Sequence, residues 1–272
     1  MKYILFICTL FIVVASCKKD KKDNPGDKRI VSVSDGSTAQ LLAYDDQKRI
    51  TRIDYNAAFS LRFEYSAAGV FIQQYGAGNT PDPDNKYDFT IVNGRITSGH
   101  KYLAGQRVNN FSFGYDGQQR LTGIYISLRF DGNEFESHFY ELTYDAQNNV
   151  EEIAFRRRQD NENSDSMHLY KTYYDDKSFI TWRDMGFDYF GSAAAGQEHL
   201  GYGIIVPFHL LSSVYPSQHA LKTEESQRFS WNPITKKWVS QGGNNFTRPG
   251  TEYVHDENGR LVNYFGRDIQ WQ

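Results

Sequence analysis

The residue in this 272-residue chain whose type and setting most plainly imply chemistry is Cys17, preceded by Val14-Ala15-Ser16. Small residues directly before a cysteine resemble the cleavage box of a lipoprotein signal peptidase. Cleavage there makes Cys17 the new N-terminus, and its sulfur carries the lipid. The segment before it fits that role. Lys2 supplies the positive charge, and Ile4 to Ala15 form an apolar core too short to cross a bilayer with ease. Cys8 is removed with the segment, so Cys17 is left alone and no intramolecular disulfide can form.

Other chemistry is sparse. The seven histidines, His100, His138, His168, His199, His209, His219 and His255, show no metal-ligand spacing such as His-Glu-x-x-His. Asp160-Asn161-Glu162-Asn163-Ser164-Asp165 has the polarity of a calcium loop, but Asp165 stands where the turn needs glycine, so a polar hairpin tip is expected. Arg156, Arg157 and Arg158 precede that tip and read as its ion-pair partners. There is no nucleophile elbow and no phosphate-binding glycine loop; Gly191-Ser192-Ala193 reads as a flexible stretch. A formal net charge of -3 leaves no nucleic-acid footprint. A hydrolase would need carboxylates such as Asp184, Asp188 or Glu198 gathered only by folding. The expectation is therefore no catalytic residue, no metal and no cofactor.

The elements that must position any site are written as a repeat. Tyr115-Asp116-Gly117-Gln118-Gln119-Arg120-Leu121 returns as Tyr44-Asp45-Asp46-Gln47-Lys48-Arg49-Ile50 and as His255-Asp256-Glu257-Asn258-Gly259-Arg260-Leu261. Tyr144 to Val150 keeps the frame without the arginine, and Tyr174 to Ile180 is a worn copy. An aromatic, an Asp, polar residues and then a strand describe a tight hairpin. The Asp side chain accepts from the amide two residues on, and the fourth turn residue takes a positive φ. Gly259 and Asn148 suit that slot. Lys48 and Gln119 should each cost about 1 kcal/mol there.

In each returning strand the apolar residues step by three and then by two: Ile50, Ile53, Tyr55; Leu121, Ile124, Ile126; Val150, Ile153, Phe155. A strand of period two holds such residues on one face only if a bulge follows the turn. Repeated bulges also curve a sheet. Further turn signals fall at Asp35-Gly36, Tyr65 to Gly69, Asn93-Gly94, Asp131-Gly132, Trp231-Asn232-Pro233 and Gly242-Gly243.

With 19 Tyr, 19 Phe and only 7 Pro, the composition is that of an all-β chain. Three parts are expected: a lipoprotein signal peptide at 1–16, a charged flexible tether at 17–28, and a single antiparallel β domain at 29–272. The tether mixes five lysines with Asp20, Asp23 and Asp27 and lacks apolar residues. The domain should be a large curved meander, half-open or closed like a barrel. Its one irregular part is the apolar insert Gly186 to Leu221. Pro207 and Pro216 bracket a short helix there, with Phe208, Leu211 and Tyr215 at helical spacing. Phe208, Leu211, Val214 and Tyr215 are the candidate plug of the sheet or, if exposed, an interaction surface.

The lipoprotein start, the Tyr-Asp-x-x-x-Arg hairpins and the final Asp256-Glu257-Asn258-Gly259-Arg260-Leu261 hairpin resemble Bacteroidetes lipoproteins of the domain-of-unknown-function family 4595. The likeness runs from Arg29 to the C-terminus. It implies a porin-like fold and an outer-membrane location, and no catalytic residue. Porin-like does not mean pore. Strand 48–55 carries Arg49, Arg52 and Asp54 where a membrane barrel needs an outward apolar band, and the mean hydropathy is -0.63. The expected protein is thus a cell-envelope domain held by its N-terminal lipid. It would bind a glycan, an apolar ligand or an envelope protein without catalysis, the alternative being a hydrolase with its carboxylates in the sheet cleft. A cleft holding two neighbouring carboxylates would favour the enzyme, and an aromatic shelf would favour binding.

Overall fold

The computed structural model describes residues 28–34, 39–56, 58–130, 133–159, 165–178, 189, 219–247, 253–264 and 266–272. They form one 17-stranded antiparallel sheet. The strands are β1 (Ile30–Ser34), β2 (Ala39–Tyr44), β3 (Ile50–Asn56), β4 (Phe59–Tyr65), β5 (Gly69–Tyr75) and β6 (Pro81–Val92). They continue as β7 (Arg95–Leu103), β8 (Gln106–Tyr115), β9 (Leu121–Phe130), β10 (Asn133–Tyr144), β11 (Val150–Gln159) and β12 (Ser166–Ser178). The last five are β13 (His219–Asn232), β14 (Lys237–Thr247), β15 (Tyr253–His255), β16 (Leu261–Tyr264) and β17 (Arg267–Trp271). Each strand from β1 to β14 pairs with the next in sequence, β15 to β17 do the same, and β17 returns to pair with β1 through Ile30↔Trp271 and Val33↔Ile269. Among the described residues no ladder joins β14 to β15, so the expected meander is rolled but not closed. The helix expected near 207–215 lies outside the described residues; within them Ala77–Asn79 forms a 3-10 turn.

The hairpins have the predicted chemistry. Lys48, Gln119, Asn148 and Gly259 have φ of 59°, 63°, 65° and 76°. Asp116 Oδ1 accepts from the amides of Gln118 and Arg120, both at 2.9 Å, and Oδ2 accepts from Arg120 Nε at 2.7 Å. Asp45 does the same with Gln47 and Arg49. In the copy without arginine, Asn149 Nδ2 donates to Asp145 Oδ2 at 3.0 Å. Partial burial opposes ionisation of Asp45 and Asp116, yet these hydrogen bonds hold both carboxyls below the usual carboxylate range.

Bulges follow the turns as the three-then-two step requires. Tyr44 faces Ile50 but Ala43 faces Arg52, and the same slip occurs at Tyr115/Leu121, Tyr144/Val150 and His255/Leu261. Ile50, Ile53, Leu121, Ile124, Val150 and Ile153 are consequently all buried. The bulge has a second effect. The ladder with the following strand stops short of the turn: β3 and β4 pair only as far as Arg52↔Arg62, and β7 and β8 as far as Ser98↔Ser112. The carbonyl at the start of the bulged strand then lies beyond the ladder, and the aromatic that ends the next strand donates to it. Tyr65 Oη donates to Ile50 O at 2.7 Å, Tyr115 Oη to Ile96 O at 2.7 Å, and Trp271 Nε1 to Leu261 O at 2.9 Å. Tyr44 donates to Ile30 O, Tyr144 to Leu121 O and Thr172 to Val150 O in the same way. The turn arginines cover these rings, Arg49 over Tyr65 at 4.3 Å and Arg120 over Tyr144 at 4.6 Å. Each Tyr-Asp unit thus locks its own turn with the Asp and the neighbouring strand pair with the Tyr.

Two expected turns are not turns. Gly242-Gly243 lies inside β14, where a bulge at Gln241 separates Arg228↔Gly242 from Phe229↔Ser240. Glycine is needed there because a Cβ on Gly243 would sit 2.4 Å from the Ser226 carbonyl oxygen. The worn copy at Tyr174 lies within β12, as a register irregularity between Tyr174↔Leu221 and Ser178↔His219. In the sequence Phe179 occupies the slot where Arg49, Arg120, Asn149 and Arg260 stand in the other copies.

One hydrophobic cluster draws on β1 to β11 and on β15 to β17. A flat strip of that many strands, about 4.8 Å apart, would be roughly 60 Å wide. Rolling brings its inner faces together. Among the described residues β12, β13 and β14 add no fully buried apolar side chain to that core.

Candidate functional site

The two faces of β10 to β14 differ in chemistry. On the inner face the core residues Ile126, Tyr140 and Ile153 give way along the strands to Glu136, His138, Arg157 and Gln159. Glu136 is the centre. Its Oε2 accepts from an Arg157 guanidinium nitrogen at 2.6 Å and from Gln159 Nε2 at 2.8 Å, and Oε1 lies 2.5 Å from His138 Nε2. Burial alone would raise its pKa, but these donors outweigh it and hold the carboxyl at about 2. The ionised carboxylate makes His138 Nε2 the protonated nitrogen; Nδ1 is buried without a partner, and the ring stands edge-on to Phe155 at 5.4 Å. The next buried carboxylate on this face, Glu224, shares a row with Thr172. Glu136 lies beyond the row of Arg157 and Ser166, which puts the two roughly 20 Å or more apart at about 3.3 Å per residue. The described inner face therefore does not assemble an acid–base pair of carboxylates, and Asp184, Asp188 and Glu198 lie outside the described residues.

The outer face carries an open groove of about 410 Å³, within the range of ligand clefts at about 300–1,000 Å³. Its aromatic wall is Trp231 and Trp238, cross-strand partners flanking the β13–β14 turn with ring centroids 5.3 Å apart and edge to face. Phe139, Asp165 and the three arginines Arg156, Arg157 and Arg158 complete the lining. Alternation places Arg156 and Arg158 on this face and sends Arg157 inward to Glu136. Arg156 pairs with Glu141 at 2.8 Å. Arg158 is exposed and engages no hydrogen bond or ion pair among the described residues. Arg156 and Arg157 take carboxylates from β10, and residues 160–164 of the tip expected to pair with the three arginines lie outside the described residues. Asp165 Oδ1 accepts from the Gln159 amide at 3.1 Å.

A second hollow of about 310 Å³ continues along the same face of β12 to β14, where Lys171, Glu225, Gln227 and Asn245 surround the flat floor of Gly242 and Gly243. The bulge at Gln241 keeps Trp238 and Asn245 on one face although they are an odd number apart. Aromatic shelf and glycine trough lie in line on this face with the row of Met167, Phe229 and Ser240 between them, and together they make up the trench.

Of the residues singled out from sequence, Cys17, Phe208, Leu211, Val214 and Tyr215 lie outside the described residues. Tyr189 belongs to the same apolar insert and is described. It packs against the core, its ring is 5.9 Å from Tyr65, and its carbonyl accepts from Tyr115 Oη at 3.3 Å. The repeat tyrosines Tyr44, Tyr115 and Tyr144 donate to carbonyls of the sheet. The trench was not read from the sequence. Its signal is the pairing of two tryptophans across one turn next to three arginines, which becomes visible only once β11 is placed beside β12 and β13.

No protein-family model matches the chain, and no curated protein matches it. Solved structures do. A porin-like protein from Bacteroides vulgatus is 12% identical, with a TM-score of 0.58 over 90% of this chain and 99% of that one. A porin-like protein from Bacteroides uniformis is also 12% identical, with a TM-score of 0.49 over 90% of this chain and 95% of that one. At this identity the first likeness establishes a porin-like fold.

Proposed function

We propose that the chain is a lipid-anchored protein of the cell envelope, held at the outer membrane through Cys17, that binds a glycan without catalysis in the trench on the outer face of β10 to β14. Membership of the 4595-type lipoproteins belongs to this reading and rests on the signal box and the Tyr-Asp hairpins. The observation that carries the binding function is the Trp231–Trp238 shelf beside Asp165 and the glycine-floored trough. Tryptophan faces stack on the apolar faces of sugar rings, and side-chain carboxylates and amides take the hydroxyls. Strands that add no fully buried apolar side chain to the core among the described residues, yet keep two tryptophans on their outer face, are organised for a surface role.

The test uses the mature chain with Cys17→Ser, titrated with oligosaccharides while tryptophan fluorescence is followed. A responding sugar should lose about tenfold or more in affinity in Trp231→Ala, the equivalent of about 1.4 kcal/mol of stacking. If no oligosaccharide binds at millimolar concentration, or Trp231→Ala binds like the parent, the reading fails.

A further inference from the structure

Resting on that reading, we infer that the sugar held against Trp231 carries a carboxylate, as uronic and sialic acids do, and that Arg158 is its counter-charge. Three consecutive arginines have three different fates. All three line the groove; Arg156 has Glu141 at 2.8 Å and Arg157 has Glu136 at 2.6 Å, while Arg158 has no ion pair among the described residues. The chain as a whole is acidic, with a net charge of -3, so three arginines beside two indole rings are a local feature. Guanidinium matches a carboxylate through two parallel N–H donors, which gives both charge and orientation.

The remaining lining limits how much negative charge the ligand bears. Asp165 stands in the same groove as Arg158, and Glu225 is the cross-strand neighbour of Lys171 in the trough. A polyphosphate or a densely sulfated chain would meet both carboxylates. A sugar with one carboxylate meets Arg158 and presents hydroxyls to Asp165. The units that follow it along the trough meet Gln227 and Asn245, which are amides suited to neutral hydroxyls. The ligand class is an oligosaccharide with an acidic unit at the Trp231 end and neutral units towards Gly243. The trough floor admits nothing larger than glycine at Gly243, because any Cβ there would collide with the Ser226 carbonyl.

The experiment compares uronic-acid-containing tetrasaccharides and sialic-acid-capped trisaccharides with their carboxyl-reduced forms, on the mature chain carrying Cys17→Ser, by calorimetric titration at low salt. The acidic form should bind about tenfold more tightly than its reduced form. Arg158→Gln should reduce that preference to less than about twofold. Because the Arg158 side chain is exposed and engages no hydrogen bond or ion pair among the described residues, the melting temperature should not move. Trp231→Ala should weaken both forms alike. Equal binding of acidic and reduced forms by the parent, with loss in Trp231→Ala, overturns the acidic assignment and leaves the glycan reading standing. A preference that survives Arg158→Gln also overturns it. Sulfated or phosphorylated sugars, or a glutamate-rich peptide, binding more tightly than every carboxylated sugar would assign the trench to another ligand class, and failure of every sugar removes both readings.

Discussion

Replacing Tyr65 by Phe isolates what the repeat tyrosine does for the sheet. Phenylalanine keeps the ring that Arg49 covers at 4.3 Å and that lies 5.9 Å from Tyr189, and removes only the hydroxyl. That hydroxyl donates to Ile50 O at 2.7 Å, beyond the last β3–β4 ladder row at Arg52↔Arg62. Burial pushes the hydroxyl's pKa well above the usual phenol range, so Tyr65 remains a donor at any physiological pH. Its loss removes a net hydrogen bond of about 1 kcal/mol and leaves a largely desolvated carbonyl, for a total cost of about 1–2 kcal/mol. For a domain of this size each kcal/mol moves Tm by about 2–4 °C, so the expected fall is about 3–6 °C. Urea unfolding of the mature chain with Cys17→Ser measures the free energy directly. Tyr173→Phe, on a side chain 46% exposed, is the control and should be neutral. Tyr65 and Tyr144 cap different hairpins, so the double Phe variant should lose close to the sum of the two single losses. If Tyr65→Phe unfolds at the same urea concentration as the Tyr173 control, the capping argument is wrong for all the hairpins.

Two further outcomes follow from the same physics. Glu136→Gln should cost about 1–2 kcal/mol at pH 7, less than for a fully buried pair because the released Arg157 reaches solvent, being 43% exposed. The folded carboxyl sits at about 2 against an ordinary 4.5, so its contribution is complete above pH 4.5 and disappears as pH falls from there towards 2. Melting curves taken across that window should fall steeply for the parent and less steeply for Glu136→Gln; parallel curves would show that the ion-pair cluster does not set the acid limit. In the apolar insert, the double variant Phe208→Ala, Leu211→Ala should lower Tm by several degrees if these residues plug the sheet, since each buried side chain contributes about 1.5–3 kcal/mol. Unchanged stability with reduced self-association would make the insert an interaction surface instead.

The sequence by itself determined the hairpins, because everything a Tyr-Asp turn needs lies within six consecutive residues. The Asp that accepts, the residue that takes positive φ and the arginine or asparagine that closes the ring are all local. That is why φ at Lys48, Gln119, Asn148 and Gly259 and the bulges after them were legible, and why the antiparallel meander followed. Only the tertiary structure decided which carbonyl each tyrosine caps, since Tyr65 and Ile50 meet across a ladder whose end is set by the bulge. It also decided that Gly242-Gly243 floors a trough and that Arg156, Arg157 and Arg158 part ways. The face of a strand residue flips with a slip of one position. The outward set of Arg158, Asp165, Trp231 and Trp238 is therefore fixed by the registers of β11 with β12, β12 with β13 and β13 with β14 taken together. No single stretch of chain holds that information, so the groove exists only in the folded sheet.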